Sequence, residues 1–97
     1  TEIAVGIADL ESQISSLQLF PNPLQSQSQL EITLTETTDL HLRIFDLQGQ
    51  IVRHQSLGEM AAQKHIIQIE KRDLKSGLYM VVLQSGKRQM SRKLVVK

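Results

Sequence analysis

The chain has 97 residues, three aromatic side chains, no cysteine and a formal net charge of +1. With 40% apolar residues, this length predicts one small domain with a core of Leu, Ile and Val. The composition excludes a disulfide framework and a thiolate metal site, and no apolar run reaches the roughly 18 residues that a transmembrane helix requires.

The small net charge conceals an uneven distribution of ionisable residues. Residues 1–42 hold six acids and no Lys or Arg, whereas residues 74–97 hold six Lys or Arg and no acid. Such asymmetry indicates an anionic partner for the basic end, or else two ends on neighbouring strands whose charges offset each other. Nucleic acid is not expected as the partner, because the Lys and Arg residues are few and no aromatic side chains lie among them on which nucleobases could stack.

Residues 1–16 are predicted to be a linker or a docked segment that follows an upstream region. The N-terminus lacks an initial Met and a basic stretch, so we interpret it as the interior of a longer polypeptide and not as a signal peptide. Apolar residues recur at spacings of three and four, which is typical of one helical face, although a glycine and a polar run weaken the pattern. These residues are Ile3, Ile7, Leu10, Ile14 and Leu17.

The middle of the chain has the period of β-strands. Apolar and polar residues alternate in residues 30–34 and again in residues 40–45, which predicts two strands with one buried face each. Gly49 follows in a segment that suits a short hairpin, because glycine readily adopts the left-handed conformation. The return strand is predicted at residues 50–56.

Further strands are predicted in the second half. Residues 58–64 are interpreted as a loop and residues 65–70 as a strand, followed by a tight turn that carries Leu74 as an apolar plug. Residues 79–83 alternate again, and a Ser-Gly hairpin leads to the last strand. With residues 16–20 included, the chain has seven short strands, and their regular spacing favours a β-sandwich.

The sequence has no arrangement that indicates catalysis or metal binding. It lacks cysteine and a G-x-S-x-G motif, so no activated nucleophile is recognisable. His41 and His54 occupy polar strand positions and are expected to face solvent, without the short spacing that brings two imidazoles to one metal. Asp39, Asp46 and Asp73 precede Leu near turns, where Asp usually caps backbone N–H groups. We therefore expect no enzyme activity, no metal and no cofactor.

Five segments together resemble a known family. They are LFPNP, LEITL, LRIFDLQGQIV, LKSGLYMVVL and the terminal RKLVVK. Their order and spacing across residues 17–97 resemble the type A C-terminal sorting domain of the type IX (Por) secretion system of Bacteroidetes. The resemblance implies a seven-stranded, immunoglobulin-like antiparallel β-sandwich at residues 17–97, preceded by the linker at residues 1–16.

The resemblance also implies a function. The domain would be a secretion and sorting signal, without enzymatic activity, that directs an upstream cargo protein across the outer membrane. Its implied partners are the type IX translocon and a sortase-like cysteine protease that removes the domain, after which the cargo is attached to the surface or released. The implied location is the periplasm in transit, then the outer-membrane surface or the extracellular space.

Motif residues are assigned by this resemblance, position by position. They are Pro21, Asn22 and Pro23 in a first turn, Asp46 and Gly49 in a central hairpin, Gly77 and Tyr79 in a late strand, and Arg92, Lys93, Leu94, Val95, Val96 and Lys97 in a terminal recognition strand. Backbone geometry and core packing alone account for the first three groups. The terminal segment is interpreted as a charged edge strand, which could also pair with a receptor strand.

Two other functions stay open at the level of sequence. One is an immunoglobulin-like binding or adhesion module, although a glycan site would usually need more exposed aromatic side chains than this chain has. The other is a structural accessory domain that stabilises an upstream enzyme. Dimerisation through exposed strand edges is compatible with each of these functions.

Overall fold

A computed structural model describes residues 8–9 and 13–97 of the chain. Within these residues, no helix is long and apolar enough to cross a membrane. The described strands, in chain order, are β1 (Ala8–Asp9), β2 (Ile14–Phe20), β3 (Gln27–Leu34), β4 (Thr38–Phe45), β5 (Ile51–Met60), β6 (Lys64–Glu70), β7 (Gly77–Ser85) and β8 (Arg88–Val96).

The strands form two sheets. One sheet has five strands in the order β1-β8-β7-β4-β5, and the other has three in the order β2-β3-β6. All pairings between these strands are antiparallel except that of the two-residue β1, which runs parallel to β8. Strands β2 to β8 are the seven strands of the predicted immunoglobulin-like sandwich, so the predicted fold class is confirmed.

An aliphatic core lies between the sheets. The alternating residues of β3 and β4 turn one face inward, as their period of two predicts. Strands β7 and β8 complete the inner face of the larger sheet. The buried apolar residues of these four strands are Leu30, Ile32 and Leu34, then Leu40, Leu42 and Ile44, then Val81 and Leu83, and finally Leu94 and Val96.

The helical pattern interpreted near the N-terminus is wrong at its end. Ile14 and Leu17 lie in β2, where they pair with Leu34 and Ile32 of β3. Pairing along β3 satisfies the backbone of this segment, so its weak helical period is overridden by the sheet. Ile3, Ile7 and Leu10 lie outside the described residues.

The loop predicted at residues 58–64 is mostly strand. β5 continues to Met60, which pairs with Thr38 of β4, and only residues 61–63 separate β5 from β6. Gly58 has a φ of 71° next to a shift in register. The glycine therefore lies at a bulge inside a strand, where one residue needs positive φ, and does not end the strand.

The predicted turn around Leu74 is confirmed. The Leu74 side chain is buried in the core, and its N–H donates to the Lys71 carbonyl at 2.8 Å. The hairpin between β7 and β8 is also confirmed, but its two turn residues are Gly86 and Lys87, because Ser85 is the last residue of β7 and pairs with Arg88. Both turns therefore deliver β7 to the centre of the larger sheet, next to the C-terminal strand.

Candidate functional site

The Pro-Asn-Pro turn (residues 21–23) binds the terminal strand through one side chain. Asn22 Nδ2 donates to the Lys93 carbonyl at 2.9 Å, and the Val95 N–H donates to Asn22 Oδ1 at 3.0 Å. A backbone amide of a parallel neighbouring strand would make the same two bonds. The Asn22 carboxamide therefore takes the place of a strand residue opposite Leu94.

Leu24 continues this pairing with its backbone. Its N–H donates to the Val95 carbonyl at 2.7 Å, and its carbonyl accepts from the Lys97 N–H at 2.9 Å, which makes a parallel bridge to Val96. The Leu24 side chain is fully buried in the core. The turn is thus anchored by an apolar side chain on one side and bonded to β8 on the other.

The buried hydroxyl of Ser28 also bonds the Pro-Asn-Pro turn. Ser28, at the start of β3, is fully buried, and its hydroxyl donates to the Pro21 carbonyl. A buried hydroxyl needs such a partner, because an unpaired one costs stability. Ser28 therefore fixes the position of the turn relative to β3, and the sequence pattern alone had not singled it out.

The late-strand motif pairs with the terminal strand from the opposite side. Gly77 is opposite Val96 and Tyr79 is opposite Leu94 in the antiparallel β7–β8 ladder. The Tyr79 ring is half-buried against the core. Its hydroxyl donates a hydrogen bond to the Lys75 carbonyl at 2.7 Å, so the polar end of the side chain has a partner. Two of the sequence-assigned motifs therefore flank the terminal strand on its two sides.

The interpretation of the terminal segment as an open edge strand is wrong for residues 93–97. That half of β8 is bonded to β7 on one side and to Asn22 and Leu24 on the other. The Lys71 ammonium also donates to the Lys97 carbonyl. A receptor strand could add there only by displacing Asn22 and Leu24, so the side chains of β8 are better placed than its backbone to contact a partner.

The central hairpin joins β4 to β5 and is closed by Asp46. Asp46 Oδ1 accepts from the N–H groups of Gln48 and Gln50, each at 2.9 Å, and Gly49 adopts a φ of 82°. The predicted capping role is therefore confirmed for Asp46. It is wrong for the other two acids, because Asp39 lies within β4 and Asp73 instead pairs with Arg53 at 3.4 Å.

A groove joins three of the motifs on the outer face of the larger sheet. Its volume is about 380 Å³, and its lining includes Leu47 and Gly49 of the central hairpin, Tyr79 and Met80 of β7, and Lys93 of β8. The fourth motif reaches the same place, since Asn22 bonds the Lys93 carbonyl. The structure therefore brings all four sequence-assigned motifs to one end of the sandwich.

Two histidines that the sequence separates are stacked in the structure. The ring centroids of His41 and His54 are 5.9 Å apart with an interplanar angle of 15°. His54 is exposed as expected, whereas His41 is half-buried and its Nδ1 has no hydrogen-bond partner, so His41 faces solvent only in part. The two lie on neighbouring strands, β4 and β5, and no cluster of three or more potential metal ligands occurs among the described residues.

Three lysines near the C-terminus take no part in the ion pairs of the described residues. β1 carries Asp9 alongside β8, so the two ends do neighbour each other. Of the ion pairs described for residues 8–9 and 13–97, however, none involves Lys75, Lys93 or Lys97. The offset of charges between the two ends therefore does not extend to these three lysines.

Comparison with known proteins places this geometry in a family. A family profile described as "Secretion system C-terminal sorting domain" matches residues 18–97. The chain belongs to this family. The resemblance read from the motifs is thereby confirmed, and the family, that of type IX secretion, is one of sorting signals and not of catalytic domains. Among curated proteins no sequence match is found.

A solved structure shares the fold of the sorting domain. The crystal structure of dimeric latent PorU from Porphyromonas gingivalis is similar with a TM-score of 0.64 and 20% sequence identity. The similarity covers 82% of this chain and 9% of that chain, so the sorting domain corresponds to a small part of PorU. At this identity the likeness shows a common fold.

The bonds of Asn22 lead to a first prediction. Asn22→Ala is expected to raise the amide hydrogen-exchange rate of Val95 by about tenfold, which corresponds to losing roughly 1–1.5 kcal/mol of local stabilisation. Asn22→Asp is expected to protect Val95 only in part, because a carboxylate accepts from the Val95 N–H but cannot donate to the Lys93 carbonyl. Gln25→Ala is the control, since Gln25 is exposed. Unchanged exchange at Val95 would contradict the clamp.

Asp46 supports a second prediction. Asp46→Ala is expected to lower the free energy of unfolding by about 1–2 kcal/mol, because two N–H groups of the central hairpin lose their acceptor. Asp46→Asn keeps an acceptor oxygen and is expected to lose less than half as much. Urea denaturation measures both variants, and equal losses for Ala and Asn would show that the carboxylate acts by charge and not as a cap.

Proposed function

We propose that the sorting domain, residues 17–97, directs a cargo protein upstream of it across the outer membrane through the type IX translocon. The match of the family profile to residues 18–97 carries this proposal. In this proposal residues 1–16 are the linker to the cargo. The cargo is in the periplasm during transit and afterwards at the outer-membrane surface or outside the cell.

The proposal includes the fate of the domain after export. A sortase-like cysteine protease removes it, and the cargo is then attached to the surface or released. The fold of the domain is compatible with a removable signal, because its hydrophobic core lies within residues 14–97. Cleavage before Ile14 would leave strands β2 to β8 of this sandwich intact.

A reporter fusion tests the proposal. Residues 1–97 are fused behind a reporter that carries a periplasmic export signal, in a bacterium with a working type IX system. We expect the reporter outside the cell, separated from the domain when both halves are detected with different epitopes. Retention in the periplasm equal to that of a reporter without the domain would refute the proposed export function.

Export with the domain still attached would refute only the removal step. A fusion to a variant with Ile66→Ser serves as the matched control for an altered surface, because Ile66 is exposed on β6 of the other sheet. This variant is expected to be exported like the unmodified domain.

A further inference from the structure

We propose that the groove beside the central hairpin is the docking site for a segment of a partner protein that presents one bulky apolar side chain flanked by carboxylates. The inference rests on the proposed export function and adds the surface and the chemistry by which the domain is recognised. It concerns side chains on the outer face of the larger sheet, and not pairing along a strand edge.

The groove is lined by apolar side chains that are unusually exposed. Leu47, at the tip of the central hairpin, is 76% exposed, and Met80 and Leu78 of β7 are 41% and 38% exposed. Asp46 and Gly49 already close the hairpin, so the fold has no need of an apolar residue at position 47. Exposed apolar residues that cluster in this way mark interaction surfaces more often than scattered ones do.

The exposed residues form one surface across neighbouring strands. Phe45 of β4 pairs with Ile51 of β5 on one side and with Met80 of β7 on the other. Met80 pairs in turn with Lys93 of β8. Cross-strand neighbours on one face lie within side-chain contact, so the apolar surface runs from β5 to β7 and meets the basic side chain of Lys93 on β8.

The edge of the groove carries positive charge. Lys93 lines the groove and forms no ion pair among the described residues. Arg43 lies opposite Val82, another residue of the lining. Asp46 also lines the groove, but its carboxylate already accepts two backbone N–H groups within its own hairpin. An apolar side chain with neighbouring carboxylates therefore complements both the floor and the edge of the groove.

The same charge argues against a second copy of this chain as the occupant. In a symmetric dimer each partner presents the same patch, so the patch with Lys93 and Arg43 would face an equally basic patch. Like charges brought together across an interface disfavour association. The volume of about 380 Å³ is at the lower end of ligand pockets, which suits one or two side chains of a docked segment.

The methionines provide a direct test with the 97-residue chain. Met80 lies in the groove, whereas Met60 and Met90 pack against the core. With methyl-labelled methionine, NMR is used to titrate a short synthetic peptide that has one Phe flanked by Asp, and the same peptide with Lys in place of Asp. We expect the Asp peptide to shift the Met80 methyl signal while Met60 and Met90 stay in place.

A charge variant identifies the role of Lys93. Lys93→Glu is expected to weaken binding of the Asp peptide by about tenfold, while the control Lys87→Glu, at the tip of the β7–β8 turn, leaves it unchanged. No shift at Met80, or an equal shift with the Lys peptide, would overturn the inference. So would a Met80 shift produced by raising the protein concentration alone, or a stronger one with phosphatidylglycerol vesicles.

An export measurement separates this inference from the function on which it rests. The double variant Leu47→Ser/Met80→Ser is expected to reduce reporter export by at least about tenfold, because docking loses its apolar floor, while Ile66→Ser does not. If the unmodified chain directs no export, the proposed function fails. If it does and the double variant is exported as well as Ile66→Ser, only the docking site fails.

Discussion

Replacing Leu24 with Ala is expected to lower the free energy of unfolding by about 2–5 kcal/mol, the range for core substitutions of Leu by Ala that leave a cavity. Leu24 has no exposed surface, and it anchors the turn that bonds to β8. Urea denaturation of the 97-residue chain measures the effect. The variant should also exchange the amide hydrogen of Lys97 faster, since that N–H donates to Leu24.

The control for Leu24 is another leucine in a different environment. Leu47→Ala removes the same atoms from a side chain that is 76% exposed, so its free energy of unfolding should change by less than about 0.5 kcal/mol. Similar losses for the two variants would contradict the anchoring of the turn by Leu24 and would point to an effect on the unfolded chain.

Deleting residues 92–97 is expected to abolish export of a fused reporter. The deletion removes Leu94 and Val96 from the core and leaves Asn22 and Leu24 without their bonding partners. Both the sandwich and the groove lose a strand, because β8 carries Lys93 as well as the buried pair. Export is measured as the extracellular fraction of the reporter, and Lys87→Ser is the control for loss of a basic residue outside the terminal strand.

Circular dichroism of the truncated chain separates two causes of that loss. A chain that unfolds without residues 92–97 assigns the terminal strand to the fold, whereas a folded chain that is not exported assigns it to recognition. Export at the normal level after the deletion would contradict both roles, in folding and in recognition. The terminal strand would then not belong to the sorting site.

Strands with strict alternation were predictable from the sequence. In β3 and β4 every second residue is buried, so the period of two in the sequence directly reflects the two faces of a half-buried sheet. β2 was harder, because only Ile14 of its seven residues is buried. Its pairing with β3 is a tertiary contact that its own sequence pattern does not report.

The extent of β5 was mispredicted for a related reason. Gly58 was interpreted as part of a loop because glycine is frequent in loops, but its positive φ serves a bulge within the β4–β5 ladder. A bulge and a loop both require this backbone conformation, and a single sequence does not distinguish them. Only the partner strand β4, whose first residue Thr38 pairs with Met60, shows that the β4–β5 ladder continues past Gly58.

The motif residues of the candidate site were predictable, but their arrangement was not. Asn22 was assigned only to a first turn, whereas its side chain bonds residues that lie more than 70 positions further along the chain. The stacking of His41 with His54 is likewise a contact between strands. Such contacts depend on strand register and sheet order, and the local alternation of residues along a strand does not report either of them.

The most direct test of the account compares two strains. A periplasm-directed reporter fused to residues 1–97 is expressed in a bacterium with a working type IX system and in an otherwise identical strain whose translocon is inactivated. The extracellular fraction of the reporter is the measurement. We predict that the first strain exports the reporter and that the second retains it in the periplasm. Equal extracellular fractions in the two strains would contradict the assignment of this domain as a type IX export signal.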